Sequence, residues 1–172
     1  MPKSHLIRRS ATAVAALVCL TAIGSGPAWA HTASSAPVCA HSACLLAVRA
    51  GAHPDFDRLV FDLTDGSVRI RETASDSPDA YVGASGESKH VQIPGKSYLY
   101  LDIQPAHTVD DRGTPTFTGP PSQSFALPSL TGVELMGEWE GHLTAALSLG
   151  DYSRYRVFTL TSPNRLVIDV YH

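Results

Sequence analysis

The chain has 172 residues, with 13 Lys and Arg against 16 Asp and Glu, a formal net charge of −3, and 44% hydrophobic residues. That acidic balance, without clustered Lys or Arg, argues against nucleic acid as a partner, because neutralising phosphate needs such clusters. After residue 30 no apolar stretch approaches the roughly 20 residues that cross a bilayer as a helix, so no membrane-spanning helix is expected there.

Residues 1–30 read as a secretory signal peptide. Lys3, Arg8 and Arg9 form a basic start, Ala11 to Ile23 an apolar run, and Ala28-Trp29-Ala30 a small-residue cleavage site. Ser10, Ala11 and Thr12 lack the bulky apolar pair of a twin-arginine signal, and Val18 before Cys19 does not fit a lipoprotein. The expectation is an exported protein, extracellular or associated with the cell wall. Three basic residues go with the signal, which leaves 10 basic against 16 acidic residues in a 142-residue chain, a formal charge of −6. That length suits one domain.

Cys19 falls in the signal, so Cys39 and Cys44 remain as an even pair in a compartment that permits disulfides, and they are expected to bridge. A loop this short constrains the unfolded chain by about 2 kcal/mol, enough to staple the entry to the first strand. His41 between them raises zinc, but thiolate sites generally use two such pairs. No metal and no cofactor are expected.

Residues 31–42 read as a flexible leader and 43–172 as the folded domain. The first predicted strand, Leu45 to Ala50, turns at Gly51-Ala52-His53-Pro54 into the stretch DFDRLVFDL, which ends at Leu63. Alternation there sets Leu59, Phe61 and Leu63 on a buried side and Arg58 and Asp62 on the other. Asp65-Gly66 then predicts a two-residue type I′ hairpin, with Leu63 facing Val68, Phe61 facing Ile70 and Asp62 opposite Arg69. Thr73 to Lys89 reads as a polar loop anchored by Tyr81 and Val82. Lys89 to Ile93 and Ser97 to Ile103 read as strands joined across Pro94-Gly95. The second has Leu99, Leu101 and Ile103 inward, with Tyr98, Tyr100 and Asp102 on its polar face.

Gln104 to Pro128 holds five of the twelve prolines and no periodicity, which makes it a candidate binding loop. Beyond it, Val133, Leu135 and Trp139 alternate, as do Leu143, Ala145, Leu147 and Leu149. For both sets to face one core, Trp139 pairs with Leu143 around a three-residue loop, Glu140-Gly141-His142. Gly150-Asp151 turns the chain into Tyr155 to Leu160, and Pro163-Asn164 turns it into the closing strand. That strand carries Leu166, Ile168 and Val170 inward, with Arg165 and Asp169 outward. Closely spaced strands, Gly, Pro and Asp turns, and no helical window predict an all-β fold, an antiparallel β-sandwich of two sheets.

The closing SPNRLVIDVYH, from Ser162 to His172, echoes DRLVFDL, from Asp57 to Leu63: polar, Arg, Leu, Val, apolar, Asp, apolar. The closing stretch resembles the signature with which AMIN domains end. The order FDRLVFDL, a long Pro/Gly-rich middle, GEWEGHLTAALSL, then YRVFTLTSPNRLVIDV is similar to the AMIN-like domain of exported actinobacterial proteins, from about Leu45 onward. The resemblance implies a β-sandwich without catalysis of its own, which targets the cell envelope and binds peptidoglycan, another cell-wall polymer or an envelope protein. A protein-interaction or assembly factor with no glycan affinity is the alternative.

Catalytic chemistry finds little support. Gly83-Ala84-Ser85-Gly86 approaches a nucleophile elbow without the helix that should follow. The acidic pairs Asp110-Asp111 and Asp76 with Asp79 read as solvated loop carboxylates, short of the oxygens calcium needs. Trp139 reads as inward packing. Tyr98 and Tyr100 suit a sugar-stacking platform or cross-strand packing equally. In both echo copies Arg and Asp stand four apart, roughly 13 Å along an extended strand and too far to pair within it. Arg58, Asp62, Arg165 and Asp169 therefore need cross-strand partners or a ligand. A surface ladder would contribute about 0–1 kcal/mol per pair. A ligand face, with Tyr98 and Tyr100 nearby, would engage the amides and carboxylates of wall peptide stems through the arginine forks.

Overall fold

A computed structural model describes residues 36–82 and 86–172. The expected signal peptide, the start of the leader and the first three residues of the Gly83–Gly86 stretch lie outside the described residues. Within them every regular element is a strand: β1 Ala43–Ala52, β2 Phe56–Leu63, β3 Arg69–Ser75, β4 Asp79–Val82, β5 Glu87–His90, β6 Ser97–Gln104, β7 Ala106–His107, β8 Ser122–Ser124, β9 Leu130–Trp139, β10 His142–Leu149, β11 Arg154–Leu160 and β12 Arg165–Tyr171. They form two five-stranded sheets, ordered β11-β12-β2-β1-β7 and β3-β6-β10-β9-β8, with β4 and β5 as a separate pair.

The fold is all-β, but the first sheet is mixed. β1 runs antiparallel to β2 and parallel to β7, where Ala43 faces Ala106. One buried cluster unites the two sheets. Leu59, Phe61, Leu166, Ile168 and Val170 from the first meet Leu99, Leu101, Ile103, Leu143, Ala145 and Leu147 from the second. The period-two pattern sets all of these inward, and burying each large side chain contributes about 1.5–3 kcal/mol relative to leaving it exposed.

Where the prediction fails, non-local pairing or a bulge overrides a local signal. Asp65-Gly66 does not close a hairpin. Both flanks of β2 are already taken, by β1 and β12, so the chain crosses to the second sheet and β3 pairs with β6. Leu63 therefore faces Leu45, Phe61 lies between Val48 and Leu166, and Ile70 faces Ile103. The Asn164 side-chain amide pins the crossing by donating to the Thr64 and Gly66 carbonyls at 2.9 and 2.8 Å. Gly66, at φ 144°, adopts a backbone that L side chains rarely reach.

The stretch read as a polar loop carries the end of β3 and the β4–β5 pair, and Tyr81 stands 78% exposed instead of anchoring it. The strand expected at Lys89–Ile93 ends at His90 and pairs with β4, while Val91 and Ile93 are buried. Within the second sheet, Thr144 faces Gly137 but Ala145 faces Leu135. Met136 is thus the extra residue of a β-bulge. The bulge reverses the alternation, so Trp139 turns outward, 51% exposed, and faces His142 rather than Leu143. Its turn is the two-residue Glu140-Gly141, with φ of 48° and 79°, the signature of a type I′ hairpin.

The Gln104–Pro128 stretch, expected to be a loop, contributes β7 and β8 and is tied down by polar groups of its own and of β9. The Asp110 carboxylate accepts from the Arg112 and Thr114 amides at 2.9 Å each, and Glu138 accepts from the Thr108 amide at 2.8 Å.

Candidate functional site

β2 and β12 lie side by side and antiparallel, which gives the Arg-x-x-x-Asp spacing its meaning. In this register Arg58 faces Asp169 and Asp62 faces Arg165, so each copy presents its Arg to the Asp of the other. At one end the pair closes completely. Arg58 Nε and Nη2 donate to Asp169 Oδ1 and Oδ2 at 2.6 and 2.8 Å. Asp169 is buried, 3% exposed, and its hydrogen bonds hold the Arg58 guanidinium above its ordinary range despite the opposing effect of burial. The Phe56 and Phe158 rings lie 5.0 and 5.8 Å from that guanidinium. At the other end Asp62 turns to β1, where Arg49 Nε and Nη2 donate to it at 2.7 and 2.9 Å. The expected Asp62–Arg69 pair does not form, because β3 belongs to the other sheet. Arg165 Nε donates to the Pro163 carbonyl at 3.3 Å.

β11 extends this face. Its register sets Arg154 beside Tyr171, Arg156 beside Asp169, and Phe158 beside Val167. Arg154 lies 3.7 Å from the Tyr171 ring centroid and Arg156 lies 4.8 Å from that of Phe158. A guanidinium stacked on a ring keeps its N–H edge turned to solvent, where it can grip a carboxylate or phosphate in plane. The face away from the core thus carries Arg49, Arg58, Arg154, Arg156 and Arg165 against Asp62 and Asp169, on a chain whose formal net charge is −3. Sequence reading missed Arg49, Arg154 and Arg156, although Arg154-x-Arg156-x-Phe158 alternates at the strand period and was legible as one face.

Tyr98 and Tyr100 are not part of this surface. They sit on β6, on the outer face of the second sheet, as the alternation placed them, but Ala80 of β4 and Val91 pack over them there. Both are buried with Val91, Met136 and Ala146, at 6% and 9% exposure. The Tyr100 hydroxyl donates to the Ser77 carbonyl at 2.8 Å, and burial pushes its phenol up to about 12. The Tyr98 hydroxyl accepts from the Gly95 amide at 3.2 Å. Arg58, Asp62, Arg165 and Asp169 thus meet on one sheet, and the two tyrosines belong to the other.

Cys39 and Cys44 are joined, with Cα atoms 6.1 Å apart, at the entry to β1. Among the remaining carboxylates, Asp110 is occupied by Arg112 and its own loop, Asp111 accepts from the Ala40 amide, and Asp79 meets His90 at 2.8 Å. These groups hold loops together.

Comparison with curated proteins gives no match. The profile of the AMIN-like domain matches residues 43–172, from the first residue of β1 through β12, so the chain belongs to the AMIN-like family.

Proposed function

We propose that this chain is an exported, non-catalytic module of the cell envelope that associates with peptidoglycan through the arginine-bearing face of its first sheet. The two five-stranded sheets act in this reading as the layers of a β-sandwich. AMIN-like membership suggests an envelope-related binding domain, and the Cys39–Cys44 bridge suits an extracytoplasmic compartment. The single observation that carries the reading is the concentration of five arginines on one sheet face of an acidic protein. Arg58 and Arg49 are held by Asp169 and Asp62 and set the shape of the face. Arg154, Arg156 and Arg165 present N–H groups to the carboxylates and amides of peptide stems, with Asp62 and Asp169 keeping the cations in rank.

The test is sedimentation of the exported protein with intact sacculi and with muramidase-digested ones. The wild type pellets with intact sacculi only, and less so at high salt, which screens exposed charges. The triple variant Arg154→Ser, Arg156→Ser, Arg165→Ser loses about fivefold in affinity, the equivalent of roughly 1 kcal/mol, with its melting temperature nearly unchanged. A triple variant that pellets like the wild type rejects this face. A wild type that pellets with neither preparation rejects the polymer and leaves an envelope protein as the partner.

A further inference from the structure

Among the described residues, the outer face of the second sheet is covered in part. Ala80 of β4 and Val91 pack on Tyr98, Tyr100, Met136 and Ala146, and Lys89 Nζ of β5 fastens this cover by donating to the Met136 carbonyl at 2.9 Å. Where this cover ends the surface steps down into a cleft of about 380 Å³, with Arg71, Asp102, His142 and Thr144 on its floor and Tyr81 as its wall. That volume is in the range of small-ligand sites.

The polar groups of the floor are poised for something outside the protein. Asp102 is held by Gln104 Nε2 at 2.7 Å and by His142 Nδ1 at 3.1 Å. With its carboxylate so engaged, the side chain of Arg71, which faces Asp102 in register, makes no ion pair or hydrogen bond among the described residues. A carboxylate beside Nδ1 makes that nitrogen the donor and leaves Nε2 for another partner. Thr144 is 4% exposed, lines the cleft, and its Oγ1 is buried without a hydrogen-bond partner. A buried hydroxyl left unpaired is costly and calls for an explanation. A cation, an imidazole nitrogen, an unpaired hydroxyl and an aromatic wall together complement a sugar ring that bears a carboxylate. The acid meets the Arg71 fork, ring hydroxyls meet His142 Nε2 and Thr144 Oγ1, and the apolar ring face lies against Tyr81.

We propose that this cleft is a binding site for an acidic saccharide. It lies on the other sheet from the arginine face and shares no residue with it, so either site can fail without the other. The test is calorimetric titration of the exported protein with N-acetylmuramic acid and with glucuronic acid, beside N-acetylglucosamine, glucose and acetate. At least one acidic sugar binds about tenfold more tightly than every neutral sugar and than acetate. Arg71→Gln and Tyr81→Ala, both at exposed positions, each weaken that binding about tenfold while the melting temperature holds. Thr144→Val weakens binding and raises the melting temperature, because it removes the unpaired hydroxyl. Binding of one acid or of both identifies the source of the carboxylate. Neutral sugars or acetate that match the acids, an Arg71→Gln variant that binds like the wild type, or no binding at all overturns the proposal.

Discussion

Asp57 shares the inward phase of Leu59, Phe61 and Leu63, so the alternation of β2 places a carboxylate in the core without naming its partner. The partner is 72 residues away: Asp57 Oδ2 accepts from the Ser129 amide at 2.6 Å and hydroxyl at 3.1 Å, and from the Leu130 amide at 3.1 Å. A residue of the first sheet thereby holds the start of β9 in the second. Hydrogen bonds to a charged group contribute about 1.5–3 kcal/mol each. Asp57→Ala, which strands two buried amides, costs on the order of 3 kcal/mol, and Asp57→Asn, which keeps an oxygen, costs less. Urea midpoints for the two variants measure this, and midpoints equal to wild type would show that the brace contributes nothing. Trp139 marks the opposite limit of residue-level reading. Its neighbours alternate as expected, but one bulged residue, Met136, moved it to the other face, and no periodicity in the sequence announces such an insertion.

At the level of elements, the two copies of Arg-Leu-Val-x-Asp were legible as strands because their inward and outward sets are unambiguous. That they pair with each other was implicit in the spacing: two antiparallel copies in register bring each Arg opposite the other copy's Asp. The Asp-Gly signal misled because it reports only local backbone tolerance. Whether a turn closes a hairpin depends on a free flank beside the incoming strand, and β2 has none. The arginine face was half visible for the same reason, since Arg49, Arg154 and Arg156 join it only through strand order. Phe61 and Ile168 lie at the centre of the β2–β12 pair and are fully buried. Phe61→Ala or Ile168→Ala costs about 2–5 kcal/mol, against the roughly 5–15 kcal/mol by which small domains are stable. Thermal unfolding within a degree or two of wild type would contradict this assignment.

For the molecule as a whole, stability depends on carboxylates that fasten the Gln104–Pro128 stretch. The backbone amide of Thr114, followed by Arg112, holds the Asp110 carboxyl below its ordinary value. Burial raises that of Glu138, but hydrogen bonds from His107 and Thr108 outweigh it and the net direction is down. A carboxylate whose folded value is depressed contributes stability above its unfolded pKa, about 4, and that contribution is lost as pH falls through the folded value. Melting temperature therefore declines as pH drops from about 5 to 3, and the decline is shallower in the double variant Asp110→Asn, Glu138→Gln. An equally steep decline in that variant would assign the acid sensitivity elsewhere.

β12 occupies an interior place in the first sheet, and this bears on the order in which the chain assembles. It is the sheet neighbour of both β2 and β11, and its pairing with β2 joins residues 111 positions apart at Arg58 and Asp169. Contacts of such long range are slow to form, because the entropy of closing the loop is lost before the contacts repay it. For a chain emerging amino end first, β2 waits with one flank bare and β11 has no partner until residues 165–171 arrive. Completion of the first sheet is then gated by a late event, the arrival of residues 165–171, while every strand of the second sheet is already in hand.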